Sequence, residues 1–165
     1  MLYFTGKNPS DGQAGVFKLP AAGASAPIVV AKGAPLVEPE GVTVTRAGVA
    51  YVTDRSAAGA GFGSVFKIAG GTATKVVERV RVGSPSGLAL TQDDGVLLVS
   101  ALQPDRASDQ VVLVKLDTLE TGSVTQVIGQ NQHAGGVHRA RNRNECAWAD
   151  LSAGGGGRVY RIEVK

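Results

Sequence analysis

The sequence has little of what marks a disulfide-rich secreted protein or a membrane protein. Cys146 is its single cysteine, so no disulfide can form within the chain. No apolar run approaches the roughly 20 residues that a membrane-spanning helix requires. The first residues lack the basic and apolar regions of a signal peptide, so none is predicted. The compartment stays open, because a secreted or periplasmic location would require sequence upstream of Met1.

Sequence signatures of catalysis and of phosphate binding are also missing. The chain has no His-Glu-x-x-His motif, no Cys-x-x-Cys pair and no spacing typical of a Ser-His-Asp triad. The Gly-rich run at 154–157 is followed by neither Lys-Ser nor Lys-Thr, which excludes a phosphate-binding loop. The net charge of +3 is modest and spread along the chain, so a specific nucleic-acid partner is not indicated.

What the sequence does contain is a pattern of short β-strands. Its 165 residues, 43% of them hydrophobic, suit one globular domain, and 23 glycines separate short β-rich runs. This alternation of brief strands and Gly-rich turns predicts an all-β fold. The segment 76–82 has the β-branched content of a strand rather than a helix.

Two strand patterns recur four times along the chain. The first is an apolar strand whose equivalent positions are Tyr3, Tyr51, Leu98 and Ala147, spaced by 48, 47 and 49 residues. The second reads apolar-apolar-basic-apolar, and its basic positions are Lys18, Lys67, Lys115 and Arg161, spaced by 49, 48 and 46 residues. With weaker flanking members, the repeat is a unit of four strands, A to D. Its size and content are those of one propeller blade.

Counting strands in this register predicts an incomplete propeller. The inventory is BCD, ABCD, ABCD and ABC, or about 14 strands, in one domain over 1–165 with blade remnants at 1–33, 39–79, 85–129 and 134–165. The first strand A and the last strand D are absent. We therefore expect a partial β-propeller that a missing segment or a second copy of the chain completes, in a six-bladed or dimer-completed ring. Open sheet edges would otherwise promote aggregation.

The second repeat resembles a blade of the NHL, YWTD and SMP-30-like group of β-propellers. It reads Pro-Glu-Gly-Val-Thr-Val at 39–44, Gly-Val-Ala-Tyr-Val-Thr-Asp at 48–54 and Gly-Ser-Val-Phe-Lys-Ile at 63–68. Residues 51–54 resemble the YWTD signature, from which the other copies depart. The resemblance covers nearly the whole chain, and it implies either a protein-interaction module or a metal-dependent lactone hydrolase.

Glycine recurs at one position of strand A, as Gly41 and Gly87. We interpret these positions as places where neighbouring backbones approach closely near the propeller axis, because a side chain there would clash. If strand A lines a central channel, Glu40 and His133 face that channel, and a carboxylate there could bind a divalent cation such as Ca²⁺. Of the three equivalent positions, Glu40, Ser86 and Gly135, only Glu40 is acidic, which favours a purely structural role.

The remaining candidate binding residues each have a structural alternative. His138 could act as a base or a metal ligand, or serve as a satisfied polar group. Arg139, with Arg141 and Arg143, could contact an anion or form a solvated hairpin. Asp54 ends a strand B, where an aspartate commonly caps a turn by accepting backbone N–H bonds.

The sequence favours a non-catalytic scaffold or binding module that completes its ring by association. Its partner would be a complementing propeller segment or a second copy, with a protein or small molecule as ligand. The alternative is a portion of an SMP-30-like metal-dependent lactone or ester hydrolase, with Glu40, His133 and Asp54 near the axis.

Overall fold

The structure, a computed structural model, consists of β-strands joined by turns. It describes residues 1–23, 25–55, 62–80, 84–102, 109–119, 121–126, 134–150 and 157–164. These residues form 14 strands and no helix, which confirms the predicted all-β class. Within this part of the chain, no helix is long and apolar enough to cross a membrane.

The strands form four antiparallel sheets that follow one another along the chain. The first comprises β1 (Leu2–Lys7), β2 (Ala14–Leu19) and β3 (Ile28–Lys32). The second comprises β4 (Pro39–Val44), β5 (Ala50–Asp54), β6 (Gly63–Ala69) and β7 (Thr72–Val80). The third comprises β8 (Ser84–Leu90), β9 (Val96–Leu102), β10 (Asp109–Lys115) and β11 (Thr121–Gln126). The fourth comprises β12 (Ala134–Arg139), β13 (Glu145–Asp150) and β14 (Arg158–Glu163).

Strand order in every sheet is the order along the chain. The sheets therefore correspond to the predicted strand sets BCD, ABCD, ABCD and ABC, and the strand count is confirmed. The repeat register is also kept, since Tyr3 pairs with Lys18 in the first sheet and Tyr51 pairs with Lys67 in the second.

Consecutive sheets stack face to face, and a hydrophobic core fills each gap between them. Side chains alternate between the two faces of a strand, so each inner sheet contributes to two cores. We call the face toward the preceding sheet the leading face and the face toward the following sheet the trailing face. The first gap holds Val16 and Ala31 against the leading face of the second sheet, whose buried residues are Ala50, Val52, Phe66 and Ile68.

The other two gaps repeat this arrangement. In the second gap, Tyr51, Val65 and Val77 of the second sheet meet the third sheet, which contributes Leu97, Val99 and Val114. In the third gap, Ala89, Leu98 and Val111 of the third sheet meet the fourth sheet, which contributes Cys146, Trp148 and Ile162. Trp148 is fully buried and stacks on Tyr160 with 5.3 Å between ring centroids.

We call β4, β8 and β12 the inner strands; in neighbouring sheets they approach each other backbone to backbone at glycine. A Cβ atom on Gly41 would lie 3.1 Å from the carbonyl carbon of Gly87. A Cβ atom on Gly87 would lie 2.5 Å from the amide nitrogen of Val137 and 2.8 Å from Ser100 Oγ. Real Cβ atoms do not make contacts as short as those at Gly87, and the contact at Gly41 is tighter than most, so the predicted close approach is confirmed at both glycines.

Hydrogen bonds join the β4–β5, β8–β9 and β12–β13 turns of neighbouring sheets. The backbone N–H of Arg46 donates to Asp94 Oδ2 over 3.0 Å, and its guanidinium donates to the Gln92 carbonyl over 2.7 Å. The N–H of Gln92 in turn donates to Asn144 Oδ1 over 2.6 Å. These bonds tie the second, third and fourth sheets together at one end of their strands.

We expect Gly87→Ala to lower the free energy of unfolding by about 2 kcal/mol or more, because the added methyl overpacks a contact between two backbones. Gly6→Ala is the matched control, since a Cβ atom on Gly6 would meet nothing within 4 Å. Urea denaturation of both variants measures the difference. Equal stability of the two would show that the inner strands are not held at this distance.

Candidate functional site

Asp54 ends β5 with its side chain fully buried and directed at the segment that precedes β4. Its Oδ2 atom accepts hydrogen bonds from the backbone N–H of Val37 over 2.8 Å and of Glu38 over 3.0 Å. The carboxylate therefore attaches the connector between the first two sheets to the inner edge of the second. Capping by an aspartate at this position agrees with the structural interpretation of the sequence, although the capped segment precedes the sheet.

Beside Asp54, a charged cluster consists of Arg55, Glu38 and Glu40. The Arg55 guanidinium hydrogen-bonds the Glu38 carboxylate, and its Nε lies 3.9 Å from Glu40 Oε1. The hydrogen bond from Arg55 holds the pKa of Glu38 below its ordinary value and raises the pKa of Arg55. The Glu40 side chain is 37% exposed, so it is available to solvent at the start of an inner strand.

A row of hydroxyl side chains occupies one repeat position of strand B in the first three sets. Its members are Thr5, Thr53 and Ser100, each two residues after the Tyr3, Tyr51 or Leu98 position. Thr53 Oγ1 accepts the N–H of Gly41 over 3.0 Å and is buried. Thr5 Oγ1 donates to the Glu40 carbonyl over 2.7 Å. Sequence reasoning missed this row, although the aligned Thr-Thr-Ser positions are its signal.

The other predicted residues lie elsewhere. His138 is an exposed residue within β12, paired with Ala147, and Arg139 follows it with its guanidinium 3.3 Å from the Ala140 carbonyl. Glu40 directly precedes the glycine of its inner strand, Gly41 in β4. His138 follows the corresponding glycine of β12, two sheets away. His133 lies outside the described residues. Ligand binding by Glu40, Asp54, His138, Arg139 and His133 remains a prediction.

The geometry brings Glu40 and Asp54 near one another but does not join them to His138 or Arg139. Across the described ranges, no cluster of three or more His, Cys, Asp or Glu side chains could hold a metal ion. The buried Asp54 carboxylate already accepts two backbone N–H groups, which is the chemistry of a structural cap. At this edge the side chains of Arg55, Glu38 and Glu40 are 42%, 43% and 37% exposed.

Comparison with solved structures identifies the architecture. The chain superposes on a chain of the nidogen/laminin complex with a TM-score of 0.69 and 17% identity, covering 98% of this chain and 62% of that one. It superposes on the calcium-binding protein regucalcin from Agrobacterium tumefaciens with a TM-score of 0.60 and 16% identity, covering 97% and 59%. A gluconolactonase from Xanthomonas campestris gives 0.59 and 14%, covering 96% and 61%. These structures are β-propellers.

The chain is a partial β-propeller. Its four sheets are blades, and β4, β8 and β12 are the inner strands of the second, third and fourth blades. The chain spans about three fifths of the length of these three propellers. At these identities the likeness shows the fold alone. No family model and no curated protein matches the sequence.

We expect Asp54→Ala to lower the free energy of unfolding by about 2 kcal/mol, because the amides of Val37 and Glu38 lose their acceptor. Asp54→Asn is the matched control. It keeps one acceptor oxygen, so its free energy of unfolding should fall clearly less than that of Asp54→Ala. Thermal and urea denaturation measure both. Wild-type stability in both variants would contradict the capping role.

The ion pair of Arg55 and Glu38 makes stability depend on pH. The pKa of Glu38 is lowered in the folded protein. The ion pair therefore contributes its full stabilisation above the ordinary pKa of 4.5, and this stabilisation is lost as the pH falls through the lowered pKa. We expect Arg55→Gln to have a lower melting temperature than the wild type at pH 7. This difference in melting temperature should disappear as the pH falls below 4.5. Arg143→Gln is the control, since Arg143 is 70% exposed and its partner Glu145 also pairs with Arg161. A gap that is unchanged in acid would contradict this assignment.

Proposed function

We propose that this chain is a non-catalytic β-propeller scaffold or binding module, completed by a complementing propeller segment or by a second copy of itself. The observation that carries the proposal is the leading face of the first blade. In the other three blades this face is buried against the preceding blade. In the first blade, Leu2 is 55% exposed and Phe4 36% exposed.

The residues of this open face are repeat equivalents of core residues. The face comprises Leu2, Phe4, Phe17 and Leu19, which correspond to Ala50, Val52, Phe66 and Ile68 in the second blade, and of these Phe17 is only 5% exposed. Phe4 stacks on Phe17 with 5.6 Å between ring centroids, and Val29 on β3, opposite Phe17, is 43% exposed. Burying a Leu or Phe side chain contributes roughly 1.5–3 kcal/mol. Such a contiguous apolar surface supports a role in association.

The alternative function is a portion of an SMP-30-like metal-dependent lactone or ester hydrolase. The solved structures similar to this chain include a protein described as calcium-binding and one described as a gluconolactonase. Glu40 is the exposed carboxylate that this alternative would use, with a divalent cation such as Ca²⁺. The hydrogen bonds that Asp54 makes to Val37 and Glu38 support the scaffold instead.

Light scattering on charge-bearing variants tests the scaffold proposal. We expect the wild type to self-associate or to bind a hydrophobic dye at the open face, and Leu2→Lys to abolish this. Val159→Lys is the matched control, since Val159 is 74% exposed on the opposite, trailing face of the fourth blade. If both variants lose self-association, the second copy docks head to tail. If only Leu2→Lys loses self-association or dye binding, the contact is made through the first blade. A wild-type monomer that binds no dye would refute the proposal.

Addition of metal tests the alternative. If Glu40 holds a catalytic cation, millimolar Ca²⁺, Mn²⁺ or Zn²⁺ should raise the melting temperature through mass action, and Glu40→Gln should remove that shift. The scaffold proposal expects no shift in either protein. A metal-dependent shift that Glu40→Gln eliminates would favour the hydrolase.

A further inference from the structure

The free edge of β1 continues the row of inner strands. Among the described strands, β1 pairs with β2 alone. In the second and third blades the equivalent strands, β5 and β9, carry an inner strand on the same edge. A strand on the edge of β1 would therefore extend an arrangement that the structure already repeats.

The register of the inner strands defines what fits on this edge. Both full blades place the sequence Pro-x-Gly-apolar-x-apolar there, at 39–44 in β4 and 85–90 in β8. Val42 pairs with Val52 and Leu88 pairs with Val99, so the glycine lies at the level of the hydroxyl residue, Thr53 or Ser100. On β1 the corresponding residues are Phe4 and Thr5.

We propose that the open edge of β1 is a binding site for an extended strand of the pattern Pro-x-Gly-apolar-x-apolar, which adds antiparallel to β1 with its glycine opposite Thr5. This inference rests on the proposed scaffold role and names the chemistry of the partner. Main-chain hydrogen bonds supply affinity, as in other cases of strand addition, and the apolar positions cover the leading face. The backbone N–H of the bound glycine donates to Thr5 Oγ1, as Gly41 donates to Thr53.

The glycine is required by the backbone that lies beside this site. A Cβ atom on Gly41 would meet the backbone of Gly87, and one on Gly87 would meet Val137. A strand added to β1 in the same register would be the neighbour of β4 in the row of inner strands, as β4 is the neighbour of β8. By the same repeat, a Cβ atom at its glycine position would be crowded by the backbone at Gly41 and Val42, whereas the apolar positions that follow it carry Val or Leu in β4 and β8.

Charge argues against a second copy that docks through its fourth blade. The trailing face of that blade carries Arg161, which lies 2.9 Å from Glu145 Oε1, and the exposed His138. Ala147 stands where the first three blades have Tyr3, Tyr51 and Leu98. Docking this face on Leu2 and its neighbours would desolvate the ion pair, with Val159 as the exposed large apolar side chain to offset that cost. A sheet with an apolar trailing face and a Pro-x-Gly strand is the better complement.

A synthetic peptide that copies residues 37–46 tests the proposal on the full chain. We expect saturable binding by fluorescence anisotropy, with slower amide hydrogen exchange confined to β1. The matched peptide with Ala in place of the Gly41 copy should bind at least about tenfold more weakly, since overpacking of this size costs that factor.

Variants of the protein locate the site. Thr5→Val keeps the strand-forming shape but removes the hydroxyl, and we expect several-fold weaker binding. Leu2→Lys places a charge beside the last apolar position of the bound strand, while Leu2 contributes little to the fold itself because it is mostly exposed. Thr118→Ala removes an exposed hydroxyl far from β1 and should leave affinity unchanged.

The outcomes separate this inference from the proposed function. Equal affinity for the glycine and alanine peptides, or protection of amides outside β1, overturns the strand site. Absence of peptide binding also overturns it, and the scaffold role then stands if light scattering detects a second copy. A metal-dependent shift that requires Glu40 would instead refute the scaffold role, whatever the peptide does.

Discussion

The contact between inner-strand backbones is the constraint on which the rest of this structure depends. A Cβ atom would be crowded at Gly41, 3.1 Å from the backbone of Gly87, and excluded at Gly87, 2.5 Å from the backbone of Val137. This distance sets the spacing of the blades near the axis, and the spacing in turn sets the depth of the cores between them. Residues such as Val52, Val99 and Trp148 fill those gaps because they stand at the same height in successive blades.

The open apolar face of the first blade follows from the same repeat. Every blade presents apolar residues on its leading face, and three of the four cover them with the blade before. Leu2 and Phe4 occupy positions that are core positions elsewhere in the molecule. This surface therefore has the composition of a core between blades but no blade packs against it. It differs in this from single hydrophobic residues scattered over a surface.

Charged groups in this propeller act mainly at the ends of strands. Asp54 attaches a connector, Arg55 pairs with Glu38, and Arg46 links neighbouring turns. Each places charge where backbone groups emerge from a sheet, and such contacts orient the blades. The exposed Glu40 carboxylate and His138 lie two blades apart, so the described residues show no convergence of catalytic groups.

The sequence by itself determined the strand sets, their order and the recurrent glycines. A period near 48 residues repeats the alternation of side chains, and alternation is a local property that can be read without coordinates. It also indicated a cap at Asp54, because an aspartate at a strand end commonly accepts backbone N–H bonds.

Only the tertiary structure decided which segment Asp54 holds, that Thr5 reaches the carbonyl of Glu40 in the next blade, and that His138 stands apart from Glu40. The physical reason is that these contacts join residues from different strands or blades. Their geometry depends on how the sheets stack, which a local pattern does not encode.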